Sequence, residues 1–509
     1  MTKTILYSEN NKFSVNLFKN EKIEKKLNIE CVIATKNDIE LLKNTFKDAR
    51  IISIENFAIS NIEFIKHQKE NLLDANNSET FSQIESECIK LLDFVNPGQN
   101  KFSLIEARLI FSESLVFILD FIYYYKPELI IFTNVPHSFQ SYLFYKVCEI
   151  KKIKIIFKRE LSLPQNYIFQ NSIKKPLINF NNNEKKQNTK IRKKLSNYIK
   201  AILNNDKKKI NKIFSRLRNH KMIHNQYYFN SFIIFFILRT IHITPLIILK
   251  LLRDIAISFK LKNKQFLMLE DYIKDKNKNL NNSRTSKLKM NVEFFLGDLR
   301  KFKLLQYYKR KQNKIEFNQK YIYFPLHYQP EATTYPFGGI FIDQIRAIKL
   351  LAAYFTNYKI VVKEHPDTFN ISHLAWTKGD YTRNENFYDQ ISSIKDVIFV
   401  DLKKNSLDLI KGASAVATVA GAVGLESLLM GKHTLIFGHP WYEEFEEVFK
   451  FDKHDEISSN LDKYIKKKIS IKKTIKDINL SSRNIFEWSE AMSQSEIKKL
   501  ETLFLERIE

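Results

Sequence analysis

At 509 residues, with 44% apolar and 13% aromatic side chains, the chain suits a folded protein of two to four domains. Its net charge of +26 is uneven: residues 1–170 carry +1, 171–320 carry +27 and 321–509 carry −2. A uniform compositional bias is thereby excluded. The three cysteines, Cys31, Cys88 and Cys148, are too far apart for a paired-cysteine metal or redox motif, which fits a reducing cytoplasm.

Met1 to Asn10 lacks the continuous apolar core of a signal peptide, so export by that route is not expected. Thr4–Tyr7, Glu30–Ala34 and Arg50–Ile54 are short apolar runs, with helix-compatible spacers such as 37–46, and read as strands. A helix over Leu104–Tyr125 leads into a strand at Glu128–Thr133, a loop at Asn134–Ser138, another helix and a strand at Lys154–Phe157. Repeated βα units predict parallel strands with right-handed crossovers and ligands beyond the strands' carboxyl ends. Residues 1–170 are thus read as a Rossmann-like domain.

Residues 171–315 break this rhythm with Lys/Asn-rich segments around the apolar stretch Phe229–Phe259. Three readings stay open: a helical insertion with solvated charged faces, an interfacial element on anionic lipid, or a nucleic-acid surface, for which no recognised module is present. Phe232–Leu238 is the best candidate for a membrane span, but Arg239, His242, Pro245, Lys250, Arg253 and Asp254 interrupt its continuation. No spanning helix is predicted.

A second α/β pattern occupies 316–480. Strands are predicted at Tyr321–Pro325, Tyr358–Lys363, Val397–Val400, Ala415–Thr418 and His433–Phe437, with helices at Ile340–Phe355, Ser406–Gly412 and Gly424–Met430. A last helix, Ser482–Glu509 within a segment 481–509, is expected to pack back across the cleft between the units. The fold class is therefore α/β, two doubly wound Rossmann-like domains facing a cleft, with a basic, mostly helical insertion between them.

The candidate chemistry lies in the second unit, where eight of the ten glycines fall between Gly338 and Gly438. Gly421 and Gly424 sit between a strand and a helix, where backbone N–H groups and the helix dipole favour a phosphate. Thr418 and Ser427 flank them, and Glu426, in the first turn, is placed to accept hydrogen bonds from ribose hydroxyls. His365 follows an apolar strand and precedes Pro366, which holds it at the strand end; there it is suited to donate a hydrogen bond to a departing phosphate. Lys363 shares its side if the extended geometry persists. In the loop His327–Gly339, Gln329, Glu331 and Thr333 are candidates for donor or acceptor, and Gly338 and Gly339 permit close backbone approach. In the first unit Asn134 and His137 occupy the equivalent strand-end position, with His137 a candidate base toward an acceptor hydroxyl. No Asp-x-Asp motif is present, so no metal and no cofactor beyond a nucleotide-linked substrate is predicted.

Phe324–Thr334, Lys363–Pro366 and Gly421–Glu426 together resemble the capsule polysaccharide biosynthesis family, whose members include transferases of the acidic sugar Kdo; the resemblance covers about 321–442. It implies a GT-B glycosyltransferase with the donor nucleotide on the C-terminal domain and the acceptor on the N-terminal one. In similar CMP-sugar enzymes a His-Pro pair contacts the nucleotide phosphate, which places His365 and Pro366 there. The catalytic carboxylate does not carry over, leaving Glu331 as a candidate. The expected protein is a cytoplasmic enzyme, peripheral on the inner face of the membrane through 171–320, that extends a capsule or lipopolysaccharide glycan. Its donor is a nucleotide-sugar, CMP-Kdo ahead of UDP- or GDP-sugars; its acceptor is a lipid-linked glycan; capsule assembly proteins are further expected partners, nucleic acid is not. The rivals are a CDP-glycerol-type polyol-phosphate transferase, a sugar-nucleotide epimerase and a non-catalytic scaffold of a capsule assembly complex.

Overall fold

The computed structural model describes residues 1–18, 27–35, 39–54, 57, 79–95, 104–161, 166–174, 189–204, 206, 300–313, 319–329, 331, 333–369, 383–451, 464–465, 467, 469–481 and 486–487. The apolar stretch Phe229–Phe259, most of the basic segment 171–315 and residues 488–509 of the expected last helix lie outside them.

The first unit runs β1 (Thr2–Ser8), α1 (Asn11–Phe18), β2 (Leu27–Ala34), α2 (Ile39–Thr45), β3 (Arg50–Ser53), α3 (Glu79–Val95), α4 (Leu104–Tyr125), β4 (Leu129–Phe132), α5 (Phe139–Ile150), β5 (Lys154–Glu160) and β6 (Asn166–Gln170). Helix α6 (Thr189–Leu203) follows. The second unit runs β7 (Tyr321–Pro325), α7 (Gln344–Tyr354), β8 (Lys359–Lys363), α8 (Glu385–Ser392), β9 (Val397–Phe399), α9 (Ser406–Gly412), β10 (Ala415–Thr418), α10 (Val423–Leu429), β11 (His433–Ile436) and β12 (Val448–Lys450). Helix α11 (Ile471–Ser481) and strand β13 (Phe486–Glu487) complete it.

The sheets are ordered β3-β2-β1-β4-β5-β6-β13 and β9-β8-β7-β10-β11-β12. All pairings of the second are parallel; in the first, β5–β6 and β6–β13 are antiparallel. Parallel strands are covered by helices on both faces, so they read as continuous apolar runs; β4, β10 and β11 are buried along their whole length. The chain adopts the two doubly wound, Rossmann-like units expected from its sequence. In each, strand order reverses beside the first strand, between β1 and β4 and between β7 and β10. These are the points where neighbouring connections leave in opposite directions and open a crevice.

Two departures have plain causes. The helix expected from Ile340 begins as a 3-10 turn, Gly339–Ile342, and becomes α-helical only after Asp343, whose side chain accepts the Ile345 N–H as N-cap. Where a helix was expected from Ser482, Phe486 and Glu487 instead pair with Tyr167 and Asn166 of β6. The chain does return to the first unit, by α11 and a strand.

The units are in direct contact. Tyr335, Phe337 and Ala420 belong to the apolar core of the first unit. Arg159, at the end of β5, donates to the His439 carbonyl at 2.9 Å and to Gln170 Oε1 at 3.2 Å. Its guanidinium lies 3.6 Å from the Phe337 ring centroid. Burial lowers this group's pKa to about 9, against the opposing pull of Glu443. Helix α6 packs Tyr198, Ile199 and Ile202 with Leu425, Leu428 and Leu429 of α10 and Trp441. Among the described residues no helix is long and apolar enough to cross a membrane.

Candidate active site at the two topological switch points

The turns after β7 and β10 meet at the second crevice, and His327 joins them. Its Nε2 lies 2.8 Å from Thr418 Oγ1 and 3.2 Å from the Val419 N–H. A backbone N–H can only donate, so Nε2 accepts and the proton sits on Nδ1. Burial, then the neighbouring His365 and Arg383, pushes the His327 pKa down to about 3, so the ring is neutral at physiological pH. Thr418 Oγ1 in turn accepts the Gly421 N–H at 3.2 Å. His327's backbone is clamped by the Gln344 amide, which accepts from its N–H at 2.7 Å and donates to its carbonyl at 3.2 Å.

The turn after β8 supplies His365. This imidazole is half-buried, its ring 5.8 Å from that of Tyr328, and Pro366 begins a short 3-10 turn. The preceding Glu364 is completely buried and accepts hydrogen bonds from the His365 N–H, Thr368, Tyr388 and Arg383. Lys363 does not stand with His365. Its ammonium donates to the Lys404 carbonyl at 2.6 Å and lies 3.4 Å from Ser406 Oγ, and burial lowers its pKa to about 8.

The glycines have packing duties. A methyl at Gly421 would stand 2.5 Å from His327 Cε1, and one at Gly424 would collide with the Tyr442 hydroxyl. Tyr442 itself donates to the Gly421 carbonyl. Ser427 is buried, bonded to the Gly424 carbonyl and to Thr434. Glu426 lies beside α6, where burial and then its carboxylate push the Tyr198 phenol well up. Gly338 is pressed against Thr334 and Val419, while Gly339 has a left-handed φ of +52° and open space at its Cβ. Gln329 is buried, donating to the Ile342 carbonyl and accepting from Arg383, both at 2.8 Å. Glu331 is exposed and accepts from Thr333 at 3.2 Å.

The first crevice has a matching bridge. Asn134 Nδ2, after β4, donates to Glu9 Oε2, after β1, at 2.9 Å. Thr133 Oγ1 accepts the Glu9 and Asn10 N–H groups at 3.0 and 3.3 Å. His137 Nδ1 lies 2.6 Å from the Val135 carbonyl; that nitrogen must donate, leaving the lone pair of a neutral ring on Nε2. Sequence reasoning missed Glu9, Arg383 and the ring of His327. Glu9 was legible in principle, as a carboxylate directly after the first strand of a doubly wound unit. Arg383 was not, because the 19 positions separating it from Glu364 show no periodicity that brings the two together. Among the described residues no group of three or more His, Cys, Asp or Glu side chains is placed to hold a metal ion.

Residues 340–445, from the turn before α7 to beyond β11, match the profile of a family described as capsule polysaccharide biosynthesis protein. No protein of curated function matches the chain. Among solved structures, Thermosulfurimonas dismutans KpsC, beta Kdo 2,7 transferase, is similar at 12% identity and a TM-score of 0.30, over 80% of this chain and 98% of that one. The T. dismutans KpsC structure titled beta Kdo 2,4 transferase is similar at 15% identity and a TM-score of 0.23, over 41% and 63%. The UDP-GlcNAc 2-epimerase from Methanocaldococcus jannaschii is similar at 11% and 0.21, over 98% of each chain. Similarities this distant carry no argument here; the strand order and the family profile do. Residues 340–445, which carry β8 to β11 and so border the β7–β10 crevice, are in this respect similar to the capsule polysaccharide biosynthesis proteins.

Proposed function

We propose that the chain is a metal-independent glycosyltransferase of capsule or lipopolysaccharide biosynthesis, in the GT-B manner. A nucleotide-sugar, CMP-linked and Kdo-like in preference, binds at the β7–β10 crevice, and a lipid-linked glycan acceptor binds at the β1–β4 crevice. The observation that supports this reading is that the family-matched segment contains His365 and Thr418, which meet Tyr328 and His327 of the β7 turn at this crevice.

In this reading His365 donates a hydrogen bond to the departing phosphate, beside Pro366 and the backbone of Gly339 and Gly421. Glu9 or His137 Nε2 takes the proton of the acceptor hydroxyl while Asn134 orients it; Glu331, exposed on the β7 loop, is the remaining carboxylate candidate. The acceptor oxygen forms its bond to the anomeric carbon. The bond from that carbon to the phosphate oxygen breaks, and the nucleotide leaves with the electron pair. The basic segment 171–320 holds the enzyme on the anionic inner face of the membrane.

Calorimetry with CMP, CDP, UDP and GDP tests the donor site, and CMP-sugar transfer tests the reaction. His365→Ala is expected to reduce turnover at least tenfold in a folded protein. Unchanged transfer would remove His365 from the chemistry, and no binding of any of the four nucleotides would favour a scaffold. For the membrane arm, neutralising the lysines and arginines of 190–253 should weaken binding to anionic liposomes, binding that salt also weakens in the intact protein; equal binding would make the segment an ordinary insertion.

A further inference from the structure

A guanidinium and a carboxylate lie fully buried immediately behind the β7–β10 crevice. The Arg383 and Glu364 side chains are 1% and 0% exposed, with Nε and Oε2 at 2.8 Å. The three donating nitrogens of Arg383 go to three places. Nε reaches Glu364, Nη1 reaches Gln329 Oε1 at 2.8 Å, and Nη2 reaches the His327 carbonyl at 2.8 Å. The guanidinium also lies 4.2 Å from the Phe387 ring centroid. Glu364 uses its second oxygen, Oε1, on the His365 N–H at 2.8 Å and on Thr368 at 3.2 Å. One ion pair thus grips the backbone of His327 on the β7 turn and of His365 on the β8 turn. Through the His327 ring it also reaches Thr418 and Val419 on the β10 turn.

A buried ion pair is a poor source of stability compared with packed apolar side chains, because desolvating both ions offsets their attraction. What this one supplies is fixed geometry: a planar fork with three donors, each directed to a different acceptor. We infer that the Arg383–Glu364 pair is a positioning device that holds the three turns of the crevice in register, setting the backbone of His365 and the ring of His327 for ligand. The inference rests on the proposed nucleotide site. It adds two residues that touch no substrate and act through the histidines.

Arg383→Lys keeps a cation beside Glu364 but cannot reproduce the three-way fork, and Ile391→Ala, at a buried apolar residue of α8 that makes none of these hydrogen bonds, provides a variant of lowered stability. Below both melting temperatures, Arg383→Lys is expected to weaken CMP binding at least tenfold, and Ile391→Ala less than threefold. In protein with selectively labelled histidines, Arg383→Lys should also shift the His327 and His365 ring signals, assigned through His327→Gln and His365→Gln, while Ile391→Ala leaves them in place. Should Arg383→Lys fail to fold, the charge-free pair Arg383→Gln with Glu364→Gln takes its place under the same expectations. Equal weakening by both variants, or unmoved histidine signals, would overturn the inference. If the wild type binds no nucleotide, the proposed function fails, and the histidine signals still decide whether the pair positions the turns.

Discussion

At Gly424 two local preferences oppose one another. Within a helix, alanine is favoured over glycine by about 1 kcal/mol, yet a methyl here would meet the Tyr442 hydroxyl and come within 2.8 Å of Thr434 Cγ2. Overpacking of a well-filled core costs about 1–3 kcal/mol, so the clash wins. Gly424→Ala is expected to lower the melting temperature, and an unchanged or raised melting point would contradict the packing. His327 gives a pH signature. Its folded pKa, about 3, lies below its ordinary 6.5, so the unfolded chain binds more protons between those values. Its contribution is present in full above pH 6.5 and is lost as the pH falls toward 3, by at most about 1.4 kcal/mol per pH unit. Thermal melts from pH 7 to 4 should therefore fall less steeply for His327→Gln than for the wild type. The buried cysteines behave as small hydrophobes: burial raises the Cys31 thiol to about 12, so alkylation of the folded protein at pH 8 should be slow.

At the level of elements, the Asn134–Ser138 loop is held by a reciprocal cap. Ser138 Oγ accepts the Ser141 N–H at the start of α5, and Ser141 Oγ accepts the Ser138 N–H at 3.1 Å. Ser138→Ala should cost about 1 kcal/mol in a melt and leave nucleotide binding at the other crevice unchanged. Strands β1–β5 and β7–β11 were legible, and β12 and β13 were not, because parallel strands buried on both faces carry unbroken apolar runs, as in Leu129–Phe132 and Ala415–Thr418. Strand β6 was not: Asn166–Gln170 is polar at both ends, and its burial depends on the second unit and on β13. The candidate site was legible where a residue lies just beyond a strand's carboxyl end, as His365 and Asn134 do, each two positions past its strand. It was not legible where function depends on side-chain direction. Lys363 shares a strand face with His365 in the sequence pattern, but its ammonium is taken by the Lys404 carbonyl. The glycines were read for phosphate, and the structure fills the space at two of them with His327 and Tyr442.

For the whole molecule, the contact between the units combines apolar packing with polar links. Arg159 spans it with a hydrogen bond to the His439 carbonyl and a stacked Phe337, while Gln170 of its own unit accepts a second hydrogen bond. Tyr335 adds a bond to the Glu87 carbonyl at 3.1 Å. Replacing Arg159 with leucine removes its hydrogen bonds to the His439 carbonyl and to Gln170 and its stacking on Phe337, a loss of roughly 1–3 kcal/mol. Calorimetry should show a lower transition for Arg159→Leu, and unfolding at the wild-type temperature would deny the residue its bridging role.

The strand Phe486–Glu487 on the edge of the first sheet also has a bearing on biosynthesis. A ribosome releases residues 1–170 long before it reaches 486, so the nascent first unit must wait with the outer edge of β6 uncovered while more than three hundred further residues are made. An unpaired edge is a template for stray pairing with another chain. Maturation of the amino-terminal half is thus tied to completion of the carboxyl-terminal half, and a chain stalled before residue 486 would be exposed to aggregation at that edge.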